Sequence, residues 1–147
     1  MIHFEGDRSF PLPIADIAAK LSDAGFLVRC IPDAQISVAT ADRAAWKLKP
    51  KLSFLSGSLD AVLEATSRVL GKAVAFRIVT KGIGASATVT TRLEFRESDG
   101  GTTVHWMGDL VEVTGLLKMV PKGLLQSTAG KVIDDVWVAV TGKLMSG

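Results

Sequence analysis

The feature that most constrains the fold of this chain is a two-residue hydrophobic period that runs from about residue 36 to residue 113. Apolar side chains occupy alternate positions and polar side chains the positions between them, as where Leu93 and Phe95 flank Glu94. Successive side chains of a strand point to opposite faces of a sheet. The period therefore predicts a series of strands with one apolar and one polar face.

Short turn signals separate these strands. They are Ala41-Asp42, Ser56-Gly57, Gly71-Lys72, Lys81-Gly82-Ile83-Gly84 and Ser98-Asp99-Gly100-Gly101. Connections of this length cannot carry a crossover helix, so the sheet is predicted to be antiparallel.

Two short helices are predicted before this sheet. A first strand from Phe4 to Phe10 ends at a proline-containing breaker, and apolar residues then repeat at helical spacing from Ile14 to Leu21. The Ser22-Asp23 pair is a capping signal for a second short helix that runs toward Cys30.

One long amphipathic helix is predicted at the end of the chain, from about residue 117 to residue 144, with Pro121 near its start. Its predicted apolar stripe consists of Leu125, Ala129, Val132, Val136 and Val140. A sheet with one apolar face and a helix with one apolar stripe bury both by packing together. The chain of 147 residues is therefore predicted to be a single α+β domain, residues 1–147, in which the sheet curls around the last helix.

Composition excludes several classes of function. Seventeen basic and fifteen acidic residues give a net charge of only +2, which does not favour nucleic-acid binding. The single cysteine, Cys30, excludes an internal disulfide and any multi-cysteine metal site. No apolar run approaches the roughly 20 residues of a membrane span, and Met1 to Glu5 show no signal-peptide pattern. A cytoplasmic protein is expected.

Three local features have simple structural interpretations. The Gly82-Ile83-Gly84 run lies between two strands and opens no helix, so it is predicted to be a hairpin turn rather than a nucleotide loop. Cys30 has no histidine near it in the sequence and is interpreted as a small buried hydrophobe. Asp134 and Asp135 are adjacent on a helix and point about 100° apart, which favours a solvated surface over an acid–base pair.

Two clusters of charged residues have a functional alternative. The first contains both histidines of the chain: His3, Glu5, Asp7, His105 and Asp109. If their strands are neighbours, these side chains could converge on a metal, but their phase places them on the polar face, where ordinary surface residues are the simpler interpretation, and no metal is expected. The second is Arg43, Lys47, Lys49 and Lys51, which either protect an edge strand or dock to an acidic partner or an anionic membrane.

The apolar face is the most informative feature for function. It comprises Trp46, Leu48, Phe54, Phe76, Ile78, Leu93, Phe95, Trp106 and Leu110, which face the stripe of the last helix. The small residues Ala61, Ala87, Gly108 and Ala129 lie among these large ones. A hydrophobic cavity is therefore predicted between sheet and helix, with a filled core as the alternative. The predicted ligand-binding residues are Trp46, Phe76, Ile78, Trp106, Leu110, Leu125, Ala129 and Val132.

Several segments resemble the family of the carbon monoxide dehydrogenase G subunit, part of the START-like superfamily of polyketide cyclases and lipid-transfer domains. The segments are Phe4-Glu5-Gly6, Phe10-Pro11-Leu12-Pro13, Leu21-Ser22-Asp23, Leu27-Val28-Arg29-Cys30-Ile31-Pro32, Phe54-Leu55-Ser56-Gly57, Lys81-Gly82-Ile83-Gly84, Gly101-Thr102 and Gly115-Leu116-Leu117. The resemblance implies a helix-grip fold, in which a seven-stranded antiparallel sheet grips a long C-terminal helix. Arg8 and Ala18 stand where the family usually has apolar and bulky residues, which implies a differently shaped cavity.

The resemblance also implies a role beside an enzyme. It points to a protein without a cofactor of its own that binds a lipid or quinone, assists a molybdenum hydroxylase such as carbon monoxide dehydrogenase, and contacts the cytoplasmic membrane peripherally. One alternative is a cyclase or hydrolase that uses the same cavity, although Arg8 is almost the only titratable residue on the inward face. Another is a structural adaptor that uses the lysine cluster and Met107 without any ligand.

Overall fold

One seven-stranded antiparallel sheet dominates the computed structural model, which describes residues 2–49 and 57–146. The elements in chain order are β1 (Ile2–Phe10), α1 (Ile14–Leu21), α2 (Ala24–Arg29), β2 (Gln35–Ala39), β3 (Arg43–Leu48), β4 (Leu59–Val69), β5 (Ala73–Gly82), β6 (Ala85–Ser98), β7 (Gly101–Gly115), a short 3₁₀ helix (Leu116–Met119) and α3 (Lys122–Met145). The α+β helix-grip arrangement is confirmed.

The strands pair in the order β1-β7-β6-β5-β4-β3-β2, so β1 and β2 form the two edges of the sheet. The turns between β2 and β3, β4 and β5, β5 and β6, and β6 and β7 follow the predicted signals, and every pairing is antiparallel as expected; the connection from β3 to β4 with Ser56 lies mostly outside the described residues. The interpretation of the lysine cluster as edge protection is wrong, because β3, which carries Lys47, lies between β2 and β4. Phe54 and Lys51 lie outside the described residues.

Local chemistry explains the two short helices. The Asp23 carboxylate accepts hydrogen bonds from the backbone N–H groups of Gly25 and Phe26, at 2.8 and 3.2 Å, and so caps α2 as predicted. Pro13 occupies the N-cap of α1, where its missing N–H removes no helical hydrogen bond. Both helices bury apolar side chains against the sheet through Ile17, Leu21 and Val28.

The last helix begins later than the sequence predicted. A separate 3₁₀ helix occupies Leu116–Met119, and α3 starts only at Lys122. The cause is Pro121, whose ring disfavours a helical conformation for the residue before it; Val120 is extended, with ψ at 129°.

The side of α3 that faces the sheet also differs from the prediction. Its buried residues are Trp137, Val140 and Leu144, whereas Val132, predicted in the same stripe as Val140, is 37% exposed. The helix is therefore rotated so that Trp137 takes the central position. Its bulk fills the space between helix and sheet that the predicted valines would have left open.

Candidate functional site

The inner face of the sheet is organised in rows by the cross-strand register. One row runs through Ala44, Leu63, Ile78, Val89, Leu110 and Ile2. The next row runs through Trp46, Ala61, Thr80, Ala87 and Val113. In this second row three small side chains follow Trp46 in succession, so the inner surface is shallow beside the indole.

One half of the inner face, which we call the closed half, is covered. Its central side chains are Val74, Leu93, Phe95 and Val104, all of which are buried. They form one apolar cluster with residues of α1, α2 and the C-terminal part of α3. Among the described residues, this half is a packed apolar core.

The other half, which we call the open half, is less covered. Its apolar side chains Ile78, Val89, Leu110 and Val113 are only half-buried, although they face inward. This half adjoins the β5–β6 hairpin, because Gly82 and Ala85 are paired at the end of the same strands.

The N-terminal part of α3 lies loosely over the molecule. Leu124 and Val132 are 43% and 37% exposed. Gln126 is exposed too, although it precedes Ile133 by seven residues and so shares the stripe that is buried further along. The helix therefore packs tightly through its second half only.

The predicted ligand-binding residues fall into three groups by burial. Trp46 and Phe76 are buried. The half-buried ones are Ile78, Trp106, Leu110, Leu125 and Ala129. Val132 is exposed. The five that belong to strands all lie on the inner face, so the register brings them to one surface; their role as ligand contacts stays a prediction.

Trp137 is the residue of this region that sequence reasoning missed. Its ring lies 6.4 Å from that of Phe10 and 6.3 Å from that of Trp106, measured between centroids. The signal was present, because Ile133, Trp137, Val140 and Leu144 repeat at three- and four-residue spacing. The predicted stripe shares Val140 with the buried one and includes Val136, which packs against the core, but it omitted Trp137.

Arg8 lies on the inner face of β1 and contacts α3. Its guanidinium carbon is 5.7 Å from the centroid of the Trp137 ring, a cation–π distance, and its Nη2 is 3.5 Å from Oδ1 of Asp134. The Asp134 side chain is 73% exposed and that of Arg8 37%. The two charges therefore meet at the rim of the inner face, in contact with solvent, rather than in an enclosed pocket.

Two indole N–H groups are buried without a hydrogen-bond acceptor among the described residues. They belong to Trp46 and Trp106. An indole N–H can only donate, and a buried tryptophan usually finds a partner for it. Both residues face inward, so the apolar inner face carries two N–H groups that have no acceptor among the described residues.

The side chains of the predicted histidine cluster contact one another on the outer face of the sheet. His3 contacts Asp109 at 2.6 Å and Glu5 at 2.9 Å, while His105 contacts Asp7 at 2.8 Å and Glu5 at 3.1 Å. Each imidazole thus lies next to two carboxylates, and neighbouring negative charges favour its protonated form. We call this alternating set of five side chains the outer row.

The charges of the outer row support one another. The hydrogen bond to Asp109 raises the pKa of His3, and the hydrogen bond to Asp7 raises that of His105. The hydrogen bond from His3 lowers the pKa of Glu5. Within residues 2–49 and 57–146, no three His, Cys, Asp or Glu side chains group as a metal site. The arrangement is an ion-pair ladder across the β1–β7 pair.

The remaining sequence candidates make contacts within the fold. Lys47 and Arg43 pair with carboxylates of the neighbouring strand, Asp60 at 3.5 Å and Glu64 at 3.7 Å. Cys30 is buried, and burial raises the pKa of its thiol. The Gly82–Gly84 run is the β5–β6 hairpin turn, as predicted.

Two clefts lie away from the inner face. One, of about 310 Å³, lies beside the β2–β3–β4 strands, and Ser37, Lys47 and Asp60 line it. The other, of about 360 Å³, lies between α1 and the β4–β5 turn, and Ala15, Ala19 and Leu70 line it. The first cleft also touches Trp46 and Ala61, but neither cleft is lined by Phe76, Trp106 or Leu110, so neither corresponds to the predicted cavity under the last helix.

The sequence and the fold both have relatives. Residues 6–145 match the profile of the CoxG family, that of the carbon monoxide dehydrogenase G subunit. No relative of significant similarity is found among curated proteins. In the described part of the chain, no helix combines the length and apolar character that crossing a membrane requires.

Solved structures share the fold at low sequence identity. A conserved protein from Geobacillus kaustophilus superposes with a TM-score of 0.84 at 16% identity, covering 99% of this chain and 96% of that one. A START superfamily protein from Mycobacterium smegmatis gives 0.69 at 10% identity, with 98% and 97% covered. Protein Ms6760 from Mycobacterium smegmatis gives 0.70 at 14% identity, with 98% and 91% covered. At such identities the likeness shows the fold alone.

Proposed function

The chain belongs to the CoxG family, that of the carbon monoxide dehydrogenase G subunit, and we propose on this premise that it binds a hydrophobic small molecule, a lipid or a quinone, as an accessory to a carbon monoxide dehydrogenase-like molybdenum hydroxylase. The observation that carries the proposal is the open half of the inner face. Ile78, Val89 and Leu110 are inward-facing yet half-buried beneath a loosely packed part of α3. Apolar surface left uncovered at a concave site is what an apolar ligand would bury.

A matched pair of alanine substitutions tests the binding site. Ala87 lies on the inner face in the row of Trp46, and Ala75 lies on the outer face of β5. Ala87→Leu places three additional carbon atoms in the open half, whereas Ala75→Leu adds the same atoms on the other side of the sheet. We expect Ala87→Leu alone to weaken binding of a fluorescent apolar dye, by about tenfold if the added carbons occupy ligand volume.

Native mass spectrometry supplies an independent measurement. Freshly purified protein should carry an apolar adduct, and Ala87→Leu should reduce its occupancy. If the wild-type protein carries no adduct and binds no apolar dye, the proposal is wrong and the open half is only a loosely packed core.

Membrane contact is the second part of the proposal, and the structure suggests a surface for it. Leu116, Met119 and Leu124 are 45%, 80% and 43% exposed, and Lys118 and Lys122 lie among them, also exposed. Exposed apolar side chains flanked by lysines suit the interface of an anionic bilayer. The Leu116 N–H donates to the Gly84 carbonyl at 3.2 Å, which holds this segment at the β5–β6 hairpin, beside the open half. A ligand could thus pass from bilayer to protein at a cytoplasmic membrane surface.

Two exposed side chains allow a controlled test of membrane contact. Met119→Glu should abolish co-sedimentation with phosphatidylglycerol-containing vesicles at low salt. Leu70→Glu is the control, because Leu70 is 98% exposed but lies in the β4–β5 turn, at the other end of β5 from the β5–β6 hairpin. Equal loss in both variants, or no vesicle binding by the wild type, would contradict this surface.

The family match supports the proposed partner enzyme. Co-purification from the native host should recover a molybdenum-containing hydroxylase, identified by peptide mass spectrometry and metal content. Recovery of the enzyme by a protein that binds no apolar dye would favour the adaptor alternative.

The cyclase or hydrolase alternative depends on Arg8, the one inward cation that the sequence singled out. The carboxylate that it meets, Asp134, is largely exposed. General acid–base groups normally work in an enclosed, desolvated site, so the rim position of this pair favours binding over catalysis.

A further inference from the structure

The Trp106 indole presents a buried donor that nothing in the described residues accepts from. Trp106 on β7 lies opposite Gly6 on β1. A Cβ atom on Gly6 would lie 3.1 Å from the indole nitrogen, so the nitrogen-bearing edge lies directly over the β1 backbone. Trp137 lies near the indole from the helix side, with centroids 6.3 Å apart. The unpaired N–H thus belongs to the space between β1 and α3, where water has little access.

A guanidinium projects from the same face of β1 and contacts the same Trp137 ring that lies near Trp106. Arg8 follows Gly6 by two residues on the inner face of β1, a separation of about 7 Å along the strand. Among the described residues, its one side-chain hydrogen bond is the 3.5 Å contact with exposed Asp134. A guanidinium has five N–H donors, so most of its donors remain free of protein acceptors in that part of the chain.

We propose that the apolar ligand carries a carbonyl-type oxygen at one end, and that this oxygen accepts a hydrogen bond from Nε1 of Trp106 with the Arg8 guanidinium beside it. The inference rests on the proposed function and specifies the chemistry of its ligand. The apolar remainder of the molecule extends along β7 toward Leu110, which lies four residues and about 13 Å from Trp106. Trp106 thus marks the polar end of the site and the open half receives the tail.

The Trp106 indole and the Arg8 guanidinium explain why the ligand must supply a hydrogen-bond acceptor. Indole N–H and guanidinium groups donate hydrogen bonds and cannot accept them. A ligand that ends in a ketone, ester or carboxylate satisfies the buried indole, whereas a plain hydrocarbon leaves it unpaired. A ligand that ends in an ammonium group brings only further donors and a like charge to Arg8, and should be rejected.

Four unbranched probes with the same number of carbon atoms test the preference. Displacement of the dye 1-aminoanthracene by dodecane, 2-dodecanone, dodecanoate and dodecylammonium compares their affinities directly. We expect 2-dodecanone and dodecanoate to bind about tenfold more tightly than dodecane, and dodecylammonium to bind most weakly. Arg8→Gln should weaken dodecanoate more than 2-dodecanone, which separates a carboxylate ligand from a neutral carbonyl ligand.

Variants of two tryptophans locate the donor. Trp106→Phe should bring 2-dodecanone down to the affinity of dodecane. Trp46→Phe removes the other unpaired indole N–H, which lies on β3 toward the opposite edge of the sheet. Trp46 is itself a predicted ligand contact, so this change can weaken both probes, but it should leave the ratio of their affinities unchanged. Gly6→Ala serves as a second variant: its methyl group would displace the indole edge without removing it, and should lower the same ratio.

The outcomes separate this inference from the function on which it rests. If the dye binds but dodecane and 2-dodecanone displace it equally, the assignment of a polar ligand end to Trp106 is wrong and only the binding of an apolar molecule is retained. The same conclusion follows if Trp106→Phe is folded and leaves the affinity ratio of the two probes unchanged. If neither dye nor probe binds the wild-type protein, the proposed function and this inference both fail.

Discussion

Trp137 on α3 stacks on Phe10 at the end of β1, with ring centroids 6.4 Å apart and ring planes inclined by 30°. Both rings are buried, and Trp137 also lies against Trp106 of β7. This aromatic contact fastens the second half of the helix to the edge of the sheet, while the first half is left loosely packed. The position of one side chain therefore decides which half of the inner face is closed.

Removing the Trp137 ring should strongly destabilise the protein. We expect Trp137→Ala to lower the free energy of unfolding by about 3–5 kcal/mol, because the change deletes a buried aromatic side chain and leaves a cavity. Trp137→Phe should cost less, since it preserves stacking on Phe10. Urea denaturation followed by circular dichroism measures both; equal, small losses would show that the helix is held elsewhere.

Gly115 should tolerate no side chain. Its φ is +63°, and a Cβ atom there would lie 1.9 Å from the Gly84 carbonyl oxygen. Gly115→Ala should therefore destabilise the protein by more than about 2 kcal/mol, because a backbone carbonyl would have to move.

Gly84→Ala is the matched control for Gly115→Ala. Gly84 has a φ of +69°, but a Cβ atom there would meet nothing within 4 Å, so only backbone strain of about 1 kcal/mol is expected. Thermal unfolding of the two variants compares them. A loss at Gly84 as large as that at Gly115 would contradict the steric explanation.

The outer row should make stability depend on pH. The pKa of His3 and that of His105 lie above the usual 6.5 in the folded protein, so their contribution is complete below pH 6.5 and is lost as the pH rises through the folded values. The pKa of Glu5 lies below its usual 4.5, so its contribution is present above that pH and is lost as the pH falls through the folded value.

The melting temperature, measured from roughly pH 6 to pH 9, should therefore fall for the wild type across the folded pKa values of the two histidines. The double variant His3→Gln, His105→Gln should lose this part of the pH dependence while keeping the fold. An unchanged pH profile in the double variant would show that other groups titrate.

Arg68 should stabilise the junction of two turns with β4. Its guanidinium donates to the Ser22 carbonyl oxygen at 3.1 and 2.8 Å, to the Ala41 carbonyl oxygen and to the Asp42 carboxylate. Arg68→Ala should lower the free energy of unfolding by about 1–2 kcal/mol, less than a fully buried network would give because the side chain is partly exposed. Arg68→Lys should recover only part of this, since an ammonium group cannot reach three acceptors in the same geometry. Full recovery by lysine would indicate a simple charge effect.

Features that depend on neighbouring residues were predictable from the sequence. The strands from β4 to β7 and their turns follow from period-two alternation and glycine-containing connections, both of which act within a few residues. The Asp23 cap of α2 is equally local. The inward phase of Trp46, Phe76 and Trp106 follows from the same alternation, so the inner face of the sheet was predictable from the sequence, while its role as a ligand site stays a prediction.

Features that depend on strand order or helix rotation were decided only by the tertiary structure. The alternation assigns His3 and His105 to one face but cannot show that β1 pairs with β7, which is what makes the outer row. The valine stripe of α3 was as apolar as the stripe of Trp137, and only packing against Phe10 and Trp106 selects between them. Hydrophobic period and turn chemistry act over a few residues and can therefore be recognised in the sequence. The choice between competing apolar surfaces depends on contacts between residues far apart in the chain, such as Phe10 and Trp137.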